Sequence, residues 1–205
     1  MISTSRPASR ATRTLSKGGE PSSTDRMLSL IAAAMDKAGV MTETIRLVDF
    51  DIKPGVTSDE GDGDEWPGIR QKILDADILV FGSPIWMEQP DSISKRVLER
   101  MDAFFDETDD QGRMVSYGKV AAVAVVGNED GAHHVSAELY QGLNDVGFTL
   151  APNAVSYWVG EAMGSTNFVD LPKVPEAVQK AVDILARNTV HLAKLTKDNP
   201  FPGEK

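Results

Sequence analysis

Two short stretches constrain the fold more than anything else in the chain: "DILVFG" (77–82) and "KVAAVAVVG" (119–127). Each is an almost unbroken apolar run ended by glycine. A strand with one wet face alternates polar and apolar residues. A run apolar throughout belongs to a strand covered on both faces, as in a parallel sheet between helix layers. Between the two runs lies "DSISKRVLERMDAFF" (91–105), apolar at helical spacing. Strand, helix and strand in that order make a right-handed crossover unit.

The alternation continues through the chain. "STDRMLSLIAAAMDKAG" (23–39) predicts an amphipathic helix stopped at Gly39, with Met27, Leu30, Ile31, Ala34 and Met35 as its apolar stripe. "TETIRLVD" predicts a strand, 53–67 a turn-rich acidic loop and 68–75 a short helix. A helix over 134–147, a last strand "AVSYWVG" (154–160) and a closing helix over 175–195 complete the order. The expected fold is α/β: a flavodoxin-like doubly wound parallel five-stranded sheet in the order 2-1-3-4-5.

The weak point is the first strand, which belongs in the middle of such a sheet. "RATRTL" buries Arg13 in one register, at a cost of several kcal/mol for an unpaired buried charge. The first strand is therefore expected to be poorly encoded or missing. Residues 1–13 read as a disordered or non-native head, 14–200 as a single flavodoxin-like domain and 201–205 as a tail.

A chain of 205 residues is long enough for one domain with a full core. No apolar run approaches the roughly 18 residues of a membrane span. With no cysteine, thiolate catalysis and Cys-based metal sites are excluded. The net charge is -10, while residues 1–19 hold Arg6, Arg10, Arg13 and Lys17 and no acid. So acidic a body argues against nucleic acid, which needs a basic face. A cytoplasmic setting without membrane or nucleic-acid partners is expected.

In a doubly wound sheet, ligands bind beyond the carboxyl ends of the strands. That directs attention to the loops 14–24, 83–91, 127–134 and 160–167. The first carries Ser16, Gly18, Gly19, Ser22, Ser23 and Thr24 ahead of a helix, a setting that favours an anion. Equally, Ser22-x-x-Asp25 reads as a capping box that needs no ligand. The second, "GSPIWMEQPDS" (82–92), has Ser83-Pro84 ending the strand, then Ile85, Trp86 and Met87 where a loop should be polar. A flat apolar ligand packed on Trp86 explains that choice, and so does a dimer contact or simple packing over the sheet edge.

The third loop, "GNEDGAHH" (127–134), brings Asn128, Glu129, Asp130 and His134 between glycines. Adjacent histidines in a turn point apart, so a metal is not expected. "SDEGDGDEW" does not fit the calcium-loop pattern and reads as a solvated connector. Ser83 is not in a G-x-S-x-G elbow, which removes support for a hydrolase triad.

"PSSTDRML", "DILVFGSPIWMEQPDSISKRVLERMD" and "KVAAVAVVGNEDGAHH" together resemble the flavodoxin-like NAD(P)H-dependent FMN reductase and oxidoreductase family over roughly residues 14–200. The resemblance implies FMN as cofactor, with its phosphate held by Ser16, Ser22, Ser23 and Thr24. By the same resemblance Pro84, Ile85, Trp86 and Met87, following Ser83, line one side of the isoalloxazine. Gly127, Asn128, Glu129, Asp130, Gly131 and His134 meet its pyrimidine side. NADH or NADPH is the implied reductant, a quinone, flavin or similar small molecule the acceptor, and a homodimer or homotetramer the assembly. Flavin chemistry needs no protein acid or base for hydride transfer, so no catalytic residue is assigned. Two other readings stand beside it: a flavodoxin-type electron carrier, and a degenerate member that no longer binds flavin.

Overall fold

The computed structural model describes the backbone of residues 8–12 and residues 22–203 in full. The elements are β1 (Ala8–Thr12), α1 (Ser23–Lys37), β2 (Thr42–Arg46), α2 (Trp66–Asp75), β3 (Ile78–Trp86), β4 (Gln89–Pro90), α3 (Ser92–Arg100), β5 (Val120–Val126), α4 (Ala132–Asp145), β6 (Thr149–Trp158) and α5 (Glu176–Asp198). The sheet runs β2-β1-β3-β5-β6, with β4 paired only to β3. Every pairing along that path is parallel. This is an α/β, flavodoxin-like fold with a parallel sheet.

The two apolar runs occupy β3 and β5, and their alternation divides the core. Leu79, Phe81, Ala121, Val123 and Val125 face one layer, built from α2, α3 and α4. Ile78, Val80, Val120, Ala122, Ala124 and Val126 face the other, built from α1 and α5. All seven residues of β5 are buried. That explains why neither strand contains a polar face.

The expectation of a missing first strand is corrected at the level of the backbone. Ala8–Thr12 pairs with Thr42–Arg46 on one side, and Ser9–Ala11 with Leu79–Phe81 on the other. The segment used is "ASRAT" rather than "RATRTL". A strand between two partners satisfies its backbone groups whatever its side chains are. The rest of the head, residues 1–7 and 13, lies outside the described residues.

β6 begins at Thr149 rather than residue 154. Its pairing with β5 shifts register between Ala121 and Val123, where Asn153 takes a left-handed conformation (φ 57°). Pro152 is tolerated because β6 is an edge strand.

The acidic stretch 53–65 is largely exposed, as a solvated connector should be, but it is fastened round Asp64, whose side chain and that of Arg100 are both fully buried and 2.7 Å apart. The Asp64 carboxylate also accepts N–H bonds from Lys53, Glu60 and Trp66. Arg100, at the end of α3, donates further to the carbonyls of Thr57 and Lys53 at 3.0 Å each and lies over the Trp66 ring. Burial opposes ionisation of Asp64, but Arg100 and the three N–H donors outweigh it and hold the carboxyl well below its ordinary 3.8.

Removing one partner of a buried pair strands the other charge, so Arg100→Met should lower the unfolding free energy by about 3–5 kcal/mol in a urea titration. Because the folded-state value of Asp64 is depressed, its contribution is complete at neutral pH. Wild-type stability should therefore fall as pH drops below 3.8, towards the lower folded value.

Candidate functional site

The loops after the parallel strands gather on one edge of the sheet. Contrary to the sequence expectation, Ser83-Pro84 does not end β3. The strand continues to Trp86, turns through Met87 and Glu88, and returns as β4, with Ile85 opposite Pro90 and Trp86 opposite Gln89. Pro84 stays in the parallel ladder with β5, opposite Val126, so the strand runs through it. Both turn residues are left-handed (φ 52° and 62°), as a two-residue hairpin of the I′ type requires.

One carboxylate holds the hairpin. Asp91 is 2% exposed. Its Oδ1 caps α3 by accepting the N–H groups of Ile93 and Ser94, both at 2.9 Å. Its Oδ2 accepts the hydroxyls of Ser83 at 3.0 Å and Ser94 at 2.7 Å. The start of the helix and the end of the strand are thereby tied together.

The loop 127–131 lies against this hairpin. A Cβ on Gly131 (φ 108°) would fall 2.6 Å from the Glu88 Cα, so only glycine admits the approach. Glu129 Oε1 accepts the Met87 N–H at 2.9 Å, and the Asn128 carbonyl accepts the Met163 N–H at 2.6 Å. Gly127 donates to the Trp158 carbonyl, which joins the loop to β6.

On the other side, α1 begins at the same edge. Ser22 caps it, its Oγ accepting the Asp25 N–H at 3.2 Å, and Ser23 Oγ accepts the Val169 N–H at 3.1 Å. Arg26 donates to the carbonyls of Phe168, Val169 and Leu171 and lies over the buried Phe168 ring. Sequence reasoning missed Arg26. Its one signal was a cation near a helix N-terminus, where the dipole disfavours it.

The residues singled out by sequence separate into groups. Ser22, Ser23 and Thr24 sit at the start of α1, whereas Ser16 lies outside the described residues. Trp86 and Met87 stand out from the hairpin, 51% and 83% exposed. Pro84 is half-buried, while Ser83 and Ile85 are buried. These two support the loop rather than face the crevice, Ser83 through Asp91 and Ile85 under Gly127. Gly127, Asn128, Glu129 and Gly131 are half-buried and Asp130 exposed. His134 turns along α4 to Glu138 at 2.7 Å, away from the loop, and His133 meets the Tyr157 hydroxyl at 3.1 Å.

The start of α1 packs over β3, where a Cβ on Gly82 would fall 3.0 Å from Thr24, and the 127–131 loop follows the neighbouring strand β5 and lies against the hairpin. The site offers hydroxyls and N–H groups at one end, an apolar tip in the middle and a polar loop at the other.

The model of the NADPH-dependent FMN reductase family matches residues 16–163. The 8-demethyl-8-aminoriboflavin-5'-phosphate synthase of Streptomyces davaonensis is 30% identical over 198 residues, 92% of this chain and 77% of that protein. The divalent metal cation transporter MntH of Mycobacterium bovis is 34% identical over 183 residues; they make up 87% of this chain but 26% of the transporter. Among the described residues no helix is long and apolar enough to cross a membrane. The crystal structure of RosB with bound 8-demethyl-8-formylriboflavin-5'-phosphate is similar with a TM-score of 0.88 at 29% identity, over 96% of this chain and 82% of that one.

Asp91→Ala removes the α3 cap and leaves the buried Ser83 hydroxyl without its carboxylate. It should cost at least about 2 kcal/mol in denaturant titration and expose the hairpin to limited proteolysis.

Proposed function

Because the chain belongs to the NADPH-dependent FMN reductase family, we propose that it holds FMN across this edge and passes electrons from NADH or NADPH to a small acceptor such as a quinone or a flavin. The observation that carries the reading is one of coincidence. The family match over 16–163 contains the three loops that converge on the edge, those of Ser22–Thr24, Ser83–Asp91 and Gly127–His134.

The donor chemistry fits an FMN. Ser22 and Ser23 each accept a backbone N–H through Oγ, and a hydroxyl that accepts still has its own proton to donate. Two such protons at a helix N-terminus suit a phosphate. Trp86 supplies a flat apolar surface for the ring, and the Asn128 side chain and the 127–131 backbone supply polar contacts to its far end. The bound flavin supplies the hydride chemistry, and this chain's residues place it and shield it from water. A small-molecule acceptor, a homodimer or homotetramer, and a cytoplasmic setting belong to the same reading.

A second reading is favoured by the likeness to RosB, which was captured with a flavin phosphate altered at position 8. On it, the flavin phosphate is the substrate and leaves chemically changed.

Purified protein should carry stoichiometric FMN by absorbance, and the flavin should bleach on anaerobic addition of NADH or NADPH. Bound flavin that stays yellow points to an electron carrier, and absent flavin to a degenerate member. A mass change in FMN after incubation points to the second reading. Trp86→Ala should weaken flavin retention by about tenfold, and unchanged affinity counts against the role given to this loop.

A further inference from the structure

Met87 and Met163 are the most exposed large apolar residues of the chain among those described, at 83% and 85%. Both have left-handed backbone, φ 52° and 62°, a region that a side chain such as methionine rarely enters. Both are fixed to the same loop from opposite sides: Met87 N–H donates to Glu129, and Met163 N–H donates to Asn128. Two strained backbones, pinned by hydrogen bonds to adjacent residues, hold two thioethers in solvent at the edge where the flavin is proposed to lie. Packing does not account for side chains this exposed.

The charges around them are of one sign. The segments 83–91, 127–134 and 158–168 contain no Lys or Arg, while Glu88, Asp130 and Glu161 are exposed. A thioether is soft, polarizable and suited to the face or edge of a ring. The acidic surround repels anions.

Resting on the flavin oxidoreductase reading, we infer that Met87 and Met163 form a methionine rim that selects the electron acceptor, and that the acceptor is a planar, apolar molecule without negative charge, such as an unsubstituted or alkylated quinone. The reaction balances as NADH plus a proton plus quinone going to NAD+ plus hydroquinone. The quinone gains two electrons and two protons, one of these from water. The rim takes no part in that transfer. It sets which acceptor is bound.

Met163→Gly tests the rim without endangering the fold, since glycine adopts this φ freely. The variant should melt no lower than wild type and keep its affinity for FMN. Its KM for 2-methyl-1,4-naphthoquinone should rise about tenfold, the order expected for one lost apolar contact, with kcat little changed. In the wild type, a sulfonated naphthoquinone should show a KM about tenfold above that of the neutral quinone. Asp130→Asn combined with Glu161→Gln should narrow that gap. An unchanged KM in Met163→Gly, loss of FMN from it, equal use of the two quinones, or altered sedimentation in place of altered KM overturns the rim. A wild-type holoprotein that NADH and NADPH leave oxidised overturns the oxidoreductase reading instead. Calorimetric titration of wild type and Met163→Gly with the neutral quinone then still decides the rim, a tenfold weaker affinity supporting it and an equal affinity overturning it.

Discussion

The Asp91 carboxylate is the constraint on which the rest of the edge depends. Four hydrogen bonds converge on its two oxygens, from Ile93, Ser94 twice and Ser83. Each alone is ordinary. Together they fix the exit of the central strand β3 and the entry of α3, and so the direction in which the Met87–Glu88 turn projects. The 127–131 loop packs on that turn through Gly131 and is then bonded onward to Met163. A buried polar cluster of this kind works only when every member is satisfied. The short residues Ser83 and Ser94 make that geometry reachable.

Much of this was legible in the sequence, because the signals were strong and local. The runs at 77–82 and 119–127 announce buried parallel strands, and the position of the ligand edge follows from topology alone. The exposure of Trp86 and Met87 was likewise readable, since large apolar residues followed a glycine-ended strand. The burial of Ser83 and Ile85 was not readable, because sequence shows that a residue is in a loop, not which way it faces. The pleat turns both into the interior. The boundary at Pro84 was misjudged for a different reason. Whether proline breaks a strand depends on its neighbours, and here β3 keeps its register with β5 through Pro84 opposite Val126.

The acidic segment 53–65 shows the limit of reading charge as solvation. Asp64 looks like one carboxylate among several, yet it is buried with Arg100, which lies in a helix far along the chain. Neither residue carries a local mark of the pairing. A buried pair is weak evidence for stability in general, because desolvation offsets the attraction. Here five further groups share the load. The Thr57 and Lys53 carbonyls take two more guanidinium protons, and the N–H groups of Lys53, Glu60 and Trp66 take the remaining carboxylate lone pairs. The consequence is positional: the long connection before α2 is fastened to the far end of α3, whose near end Asp91 already holds.

An acidic protein proposed to hold a phosphate needs its positive potential from somewhere. The described cation nearest the start of α1 is Arg26, and its guanidinium is committed to three carbonyls of the 168–171 turn. What remains there is the helix dipole, the N–H groups of its first turn, and the protons of Ser22 and Ser23. These are fixed, largely uncharged donors, and salt screens them less than exposed lysines. The division of labour follows from this. Arg26 stiffens the frame that aims the helix, and on the proposed reading the helix end faces the anion, while Glu88, Asp130 and Glu161 stand exposed in the segments that carry the two methionines. On that reading the same crevice is tuned for a phosphate at the helix end and against anions round the methionines.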